Sequence, residues 1–75
     1  MRVRQFESRK SAWEAAEEIR RNSPHLRRIT VQPVDDSGER FFVYHRGIND
    51  DFMTLLLEDG TMGNETPIGT VPSFD

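Results

Sequence analysis

Ile29-Thr-Val-Gln-Pro33, Asp35-Asp-Ser-Gly-Glu39 and Arg40-Phe-Phe-Val-Tyr-His-Arg46 are the stretches that decide the fold. In the first, Ile29 and Val31 alternate with Thr30 and Gln32, the period-two pattern of a half-buried strand running into a proline. The second is rich in turn formers, and its Gly38 suits a tight reversal. The third packs Phe41, Phe42, Val43 and Tyr44 together, residues whose bulk at Cβ fits a pleated surface. The three read as an antiparallel hairpin, with Phe41 and Val43 on one face and Phe42 and Tyr44 on the other.

Upstream, Ser11-Ala-Trp-Glu14 has capping-box spacing and predicts a helix from about Ala12 to Arg21. Ala12, Ala15, Ala16 and Ile19 form its buried stripe, with Trp13 at the edge, and Asn22-Ser-Pro24 ends it. Arg2 to Phe6 reads as a short strand of poor alternation. Downstream, Phe52 to Leu57 fits either a strand or a short helix capped by Asn49. The strand is preferred because Asp59-Gly60 is a favoured hairpin turn and Gly47 to Asp51 is a suitable loop. Residues 64–75 contain Pro67, Gly69 and Pro72 and read as an extended tail, with Ile68, Val71 and Phe74 as apolar points. The expectation is one α+β domain over residues 1–63, a β-α-β-β-β antiparallel sheet with one helix on one face, followed by a tail over 64–75. One helix covers one face, so an apolar patch carrying Phe42 and Tyr44 is expected on the other, open to a partner, a second copy or the tail.

The chain has 75 residues, no cysteine and a net charge of −3. A chain so short buries only about 60% of its unfolded surface, which makes dimerisation or docking to a larger partner a natural supplement to its core. No apolar run reaches the length of a membrane span and the first ten residues lack a signal-peptide core, so a cytoplasmic protein is expected. Charge is divided along the sequence. Residues 1–29 hold eight bases and four acids, a balance of +4, and residues 30–75 hold two bases and nine acids, a balance of −7. Such a dipole orients partners without specifying a fold.

No catalytic or cofactor signature is present. His25 and His45 are the only histidines, and neither sits beside a serine or cysteine in a nucleophile motif, so packed or surface roles are expected. Asp35-Asp36, Asp50-Asp51 and Glu58-Asp59 fall at predicted turns without the alternating spacing of a calcium loop. They read as turn formers or as carboxylates presented to a basic partner. Phe42 and Tyr44 have the alternate spacing of aromatic strands that stack on RNA bases, though the glycines of that motif are missing and the net charge opposes nucleic acid. Arg20-Arg21 and Arg27-Arg28 form the candidate basic patch.

In size, lack of cysteine, acidic balance and one-helix sheet, the chain resembles small phage-encoded anti-CRISPR proteins. That resemblance implies a non-enzymatic inhibitor that occupies a channel or subunit surface of a protein or ribonucleoprotein complex, within the host cytoplasm. Gln5-Phe-Glu-Ser-Arg-Lys-Ser-Ala12 before a helix and Gly38-Glu-Arg-Phe-Phe-Val-Tyr44 as a strand are similar to the first half of the SPOR domain, which implies peptidoglycan binding. The expected function is therefore protein binding, with Phe42 and Tyr44 as apolar anchors and Asp35, Asp36, Asp50 and Asp51 steering a basic partner. The alternative is a nucleic-acid-binding module built on the arginine-rich first third and the aromatic strand. No metal or cofactor is expected, and a homodimer is compatible with either reading.

Overall fold

The computed structural model describes residues 2–47 and 51–69. It has an α+β fold, with helix α1 (Arg9–Asn22) followed by strands β1 (Ile29–Pro33), β2 (Phe41–Arg46), β3 (Phe52–Leu56) and β4 (Met62–Pro67). The strands form one sheet in the order β1-β2-β3-β4, and every pairing is antiparallel.

Helix α1 begins about one turn earlier than the sequence suggests. Ser8 is its N-cap, in extended conformation, and the Ser8 Oγ accepts a hydrogen bond from the Ser11 amide at 3.1 Å. Ser8 wins over Ser11 because Arg9 and Lys10 are good helix formers, so the earlier cap adds a turn at little cost. At the other end the Ser23 amide donates to the Ile19 carbonyl at 2.8 Å, and Pro24 follows. Arg20 and Arg21 lie in the last turn, where positive charge opposes the helix dipole. Ala12 and Ala16 are fully buried, with Trp13, Ala15 and Ile19 packed around them. Small residues let the helix lie close over β1 and β2.

Two hydrophobic cores lie on opposite faces of the sheet. The helix-side core joins Phe6, Ala12, Ala16, Ile29, Val31, Phe41, Val43 and Leu56. The second joins Val3, Phe42, Met53, Leu55 and Leu57, with Val34, Tyr44 and Ile68 packed against it. Phe41 and Val43 thus face the helix and Phe42 and Tyr44 face away, as their alternation predicts. The ambiguous segment is the strand β3.

The N-terminal segment enters between β2 and β3. Those strands pair only from Tyr44 to Arg46 and from Met53 to Leu55. Beyond that, the Arg4 amide donates to the Leu56 carbonyl at 2.9 Å, and Phe6 and Phe41 exchange two hydrogen bonds of 2.8 Å each. Val3 bridges Leu57 and Phe6 bridges Phe41, both in the antiparallel sense. Because β2 and β3 run in opposite directions, one straight strand cannot be antiparallel to both. The segment therefore changes direction between Val3 and Phe6, and these residues feed different cores. The Arg4 guanidinium lies over the Phe6 ring, 4.8 Å from its centroid, and that of Arg9 lies over the Phe41 ring at 4.7 Å. Part of the N-terminal positive charge thus caps aromatic rings at the sheet end.

Strand β4 corrects the expected boundary of the tail. Residues 64–67 belong to the sheet, and the Ile68 amide donates to the Asp51 carbonyl at 2.9 Å. Asp59 folds the chain back: its Oδ1 accepts from the Thr61 amide at 3.0 Å and the Thr61 hydroxyl at 2.6 Å, while Gly60 takes φ +89°. The chain after this turn meets the open edge of β3, and an edge strand tolerates a proline at its end. The β3–β4 register slips between Met53 and Leu55, so the pairing absorbs an irregularity and continues. Residues 70–75 lie outside the described residues.

Candidate functional site

The second face carries two depressions that meet at Tyr44. One, of about 420 Å³, is lined by Gln32, Pro33, Val34, Asp35, Asp36, Phe42, Tyr44, Met53, Ile68 and Gly69. Its floor is the second core and its rim is acidic. Asp35 and Asp36 stand at one side on the β1–β2 loop. At the other, the hydrogen bond from Ile68 holds the backbone of exposed Asp51 beside the lining. Turns of a meander alternate between ends of a sheet, yet here the loop after β1 and the chain leaving β4 border the same depression.

The β1–β2 loop is built by its own side chains. Asp35 Oδ1 accepts from the Ser37 amide at 2.9 Å and from the Ser37 hydroxyl at 2.5 Å, the Ser37 Oγ accepts from the Glu39 amide at 3.2 Å, and Gly38 takes φ +69°. The Ser37 hydroxyl and amide hold the Asp35 carboxyl below its ordinary pKa. Asp35 is therefore both a turn former and a fixed negative charge, so its two sequence readings are compatible.

The aromatic pair divides. Phe42 is only 2% exposed and belongs to the second core, which corrects the expectation that it stands free as an anchor. Val3, Val34 and Ile68 reach this face from distant parts of the sequence and cover it. Tyr44 is half-buried, its ring centroid 5.7 Å from that of Phe42, and it lines both depressions. Asp50, also expected to steer a partner, lies outside the described residues.

The other depression, of about 440 Å³, is lined by Arg28, Ile29, Thr30, Tyr44 and Arg46. It adjoins a hollow of about 310 Å³ formed by His25, Arg27, Arg28, His45 and Arg46. The basic patch is thus composed differently from the sequence expectation: Arg27 and Arg28 meet Arg46 and the two histidines, whereas Arg20 and Arg21 line neither hollow. The signal lay in register, since Ile29 pairs with His45. Among the described residues no group of three or more His, Cys, Asp or Glu could hold a metal ion, and no helix is long and apolar enough to cross a membrane.

His45 is held below its ordinary pKa of about 6.5, first by burial and then by the neighbouring charges of His25 and Arg28. Arg27 and Arg46 line the same hollow. A histidine depressed in the folded state binds fewer protons than in the unfolded chain. Its contribution to stability is complete above about pH 6.5 and is lost as pH falls through its lowered folded value. Thermal unfolding should therefore show a Tm that declines as pH falls below about 6.5, with a shallower decline in His45→Gln. Asp35 and Asp59 are also depressed, each chiefly by a hydroxyl hydrogen bond, and their contributions are lost only below about pH 3.8. An unchanged slope in His45→Gln over the upper window would contradict the assignment.

Comparison with known proteins finds no matching family model, no matching curated protein and no matching solved structure.

Proposed function

We propose that this chain is a non-catalytic protein-binding module, acting in the manner of small phage-encoded inhibitors, that receives an extended basic segment of a partner in the acidic depression. The observation that carries this reading is the pairing of an apolar floor with a carboxylate rim. Tyr44 and Ile68 are half-buried, so each offers apolar surface that a partner side chain can still cover. Asp35 and Asp36 line one side of that surface, and at the other the Asp51 carbonyl is hydrogen-bonded to the Ile68 amide, which leaves an exposed acidic residue next to the lining. Carboxylates arranged around a floor of this kind attract a cationic segment and orient it, affecting association rate and specificity more than total affinity. A hollow of about 420 Å³ suits a few side chains of one strand or loop. Contact of that size supports modest affinity unless further surface joins it.

Selection from a randomised peptide library displayed against the intact protein tests the reading. Enriched peptides should combine Lys or Arg with an aliphatic or aromatic residue. Simultaneous Asp35→Lys, Asp36→Lys and Asp51→Lys should weaken their binding by about tenfold or more, because like charge then faces like. Enrichment of acidic peptides, or equal affinity in the triple variant, would reject the acidic depression as the site.

A further inference from the structure

Where β2 and β3 part, the gap between them is crossed by residues 2–6, and the crossing is tied at both sides. On the β3 side the Glu58 amide donates to the Arg2 carbonyl at 3.0 Å. On the β2 side Phe6 exchanges its two bonds with Phe41, the residue after Arg40. The segment and its two flanks border a cleft of about 340 Å³ lined by Arg2, Val3, Arg4, Gln5, Arg40 and Glu58. Two of its guanidinium groups are held in place. That of Arg4 lies over the Phe6 ring, 4.8 Å from the centroid, and Arg40 Nη1 donates to Gln5 Oε1 at 3.5 Å. Stacking engages the flat face of a guanidinium, whereas its N–H groups lie in the plane and remain able to donate. The bond to Gln5 commits one of the five donors of Arg40. Asp35 lies within the field of Arg40, which is the smallest of the influences on its carboxyl, behind the hydrogen bonds of Ser37.

We propose that this cleft binds a phosphate monoester through Arg2, Arg4 and Arg40. Guanidinium groups are planar forks whose paired N–H groups match two oxygens of a phosphate, and forks carried on different segments address a tetrahedral anion from different directions. Glu58 sets the charge that the cleft accepts. Three guanidinium groups and one carboxylate leave a balance of two positive charges, which matches the roughly two negative charges of a monoester at neutral pH. A diester carries only about one, and a continuous nucleic-acid backbone would have to run past the Glu58 carboxylate.

This site does not rest on the acidic depression. The monoester has two candidate sources, a free small molecule or a phosphorylated side chain of a peptide. Amide NMR titrations of the intact protein at low salt test the proposal, with O-phosphoserine, a phosphoserine peptide of otherwise neutral sequence and dimethyl phosphate in separate arms. Shifts are expected at residues 2–5, 40 and 58 in the two monoester arms, with dimethyl phosphate binding at least tenfold more weakly. Arg2→Gln and Arg40→Gln should each weaken monoester binding about tenfold. Glu58→Gln should tighten it about two- to fivefold, an opposite change that loss of fold could not produce. All three side chains are exposed, and unchanged shifts elsewhere in the spectrum verify that the variants keep the fold. Tighter binding of the peptide assigns the ester to a phosphorylated partner; equal or tighter binding of O-phosphoserine assigns it to a free ester. Absence of shifts in both monoester arms, equal binding of the diester, or affinity unaltered in Arg2→Gln and Arg40→Gln would overturn the site.

Discussion

Phe42→Ala is expected to destabilise the protein by about 3–5 kcal/mol, whereas Phe52→Ala should change stability by about 1 kcal/mol or less. The two phenylalanines lie on adjacent strands, but Phe42 is 2% exposed and Phe52 is 43% exposed. Removing the Phe42 ring opens a cavity among Val3, Leu55 and Leu57, which form the second core with it. A chain of this length has roughly 4–11 kcal/mol of total stability, so the loss is a large part of the whole. With each kcal/mol worth about 4–8 °C in a domain of this size, Tm should fall by tens of degrees. Chemical denaturation followed by Trp13 fluorescence measures the difference. Similar losses in the two variants would mean that the second face is not a core.

Val3→Asp should cost on the order of 3 kcal/mol or more. Val3 is buried in the second core and bridges Leu57 on β3. A carboxylate there must either remain in an apolar site or pull the N-terminal segment out from between β2 and β3. Detachment would also break the hydrogen bonds of Arg4 to Leu56 and of Phe6 to Phe41. Arg2→Glu, at an exposed neighbouring position, should stay within about 0.5 kcal/mol. Hydrogen exchange adds a second measure, since the Arg4 and Phe6 amides should lose protection in Val3→Asp. If those amides exchange rapidly in the unsubstituted protein, the segment is not part of the sheet.

The helix, the hairpin and the division of β2 between two faces were legible in the sequence because each rests on a local period. The other elements depend on contacts between distant segments. Ser8 and Ser11 both offer caps, and what separates them is a single turn of helix. Val3 and Phe6 alternate poorly because the segment bends and supplies two cores. Pro67 reads as a breaker, although at the end of an edge strand it is tolerated. Phe42 looked like an exposed anchor because nothing local announces that Val3, Val34 and Ile68 will cover it. The acidic rim was partly readable from Asp35, Asp36 and Asp51 at turns. The basic depression was not, since Arg28 and Arg46 are 18 positions apart and become neighbours only through register.

Only part of the charge division in the sequence reaches this face, where Asp35 and Asp36 lie on one side and Arg28 and Arg46 on the other. Carboxylates border the depression on one side of Tyr44 and guanidinium groups border the depression on the other. Titration of the isotopically labelled protein with a basic peptide enriched by selection, followed by amide chemical shifts, tests the central claim most directly. The account predicts shifts at residues 32, 34–36, 44, 53 and 68–69, with residues 25–28 unmoved. Shifts confined to the helix, or centred on Arg27 and Arg28, would contradict it.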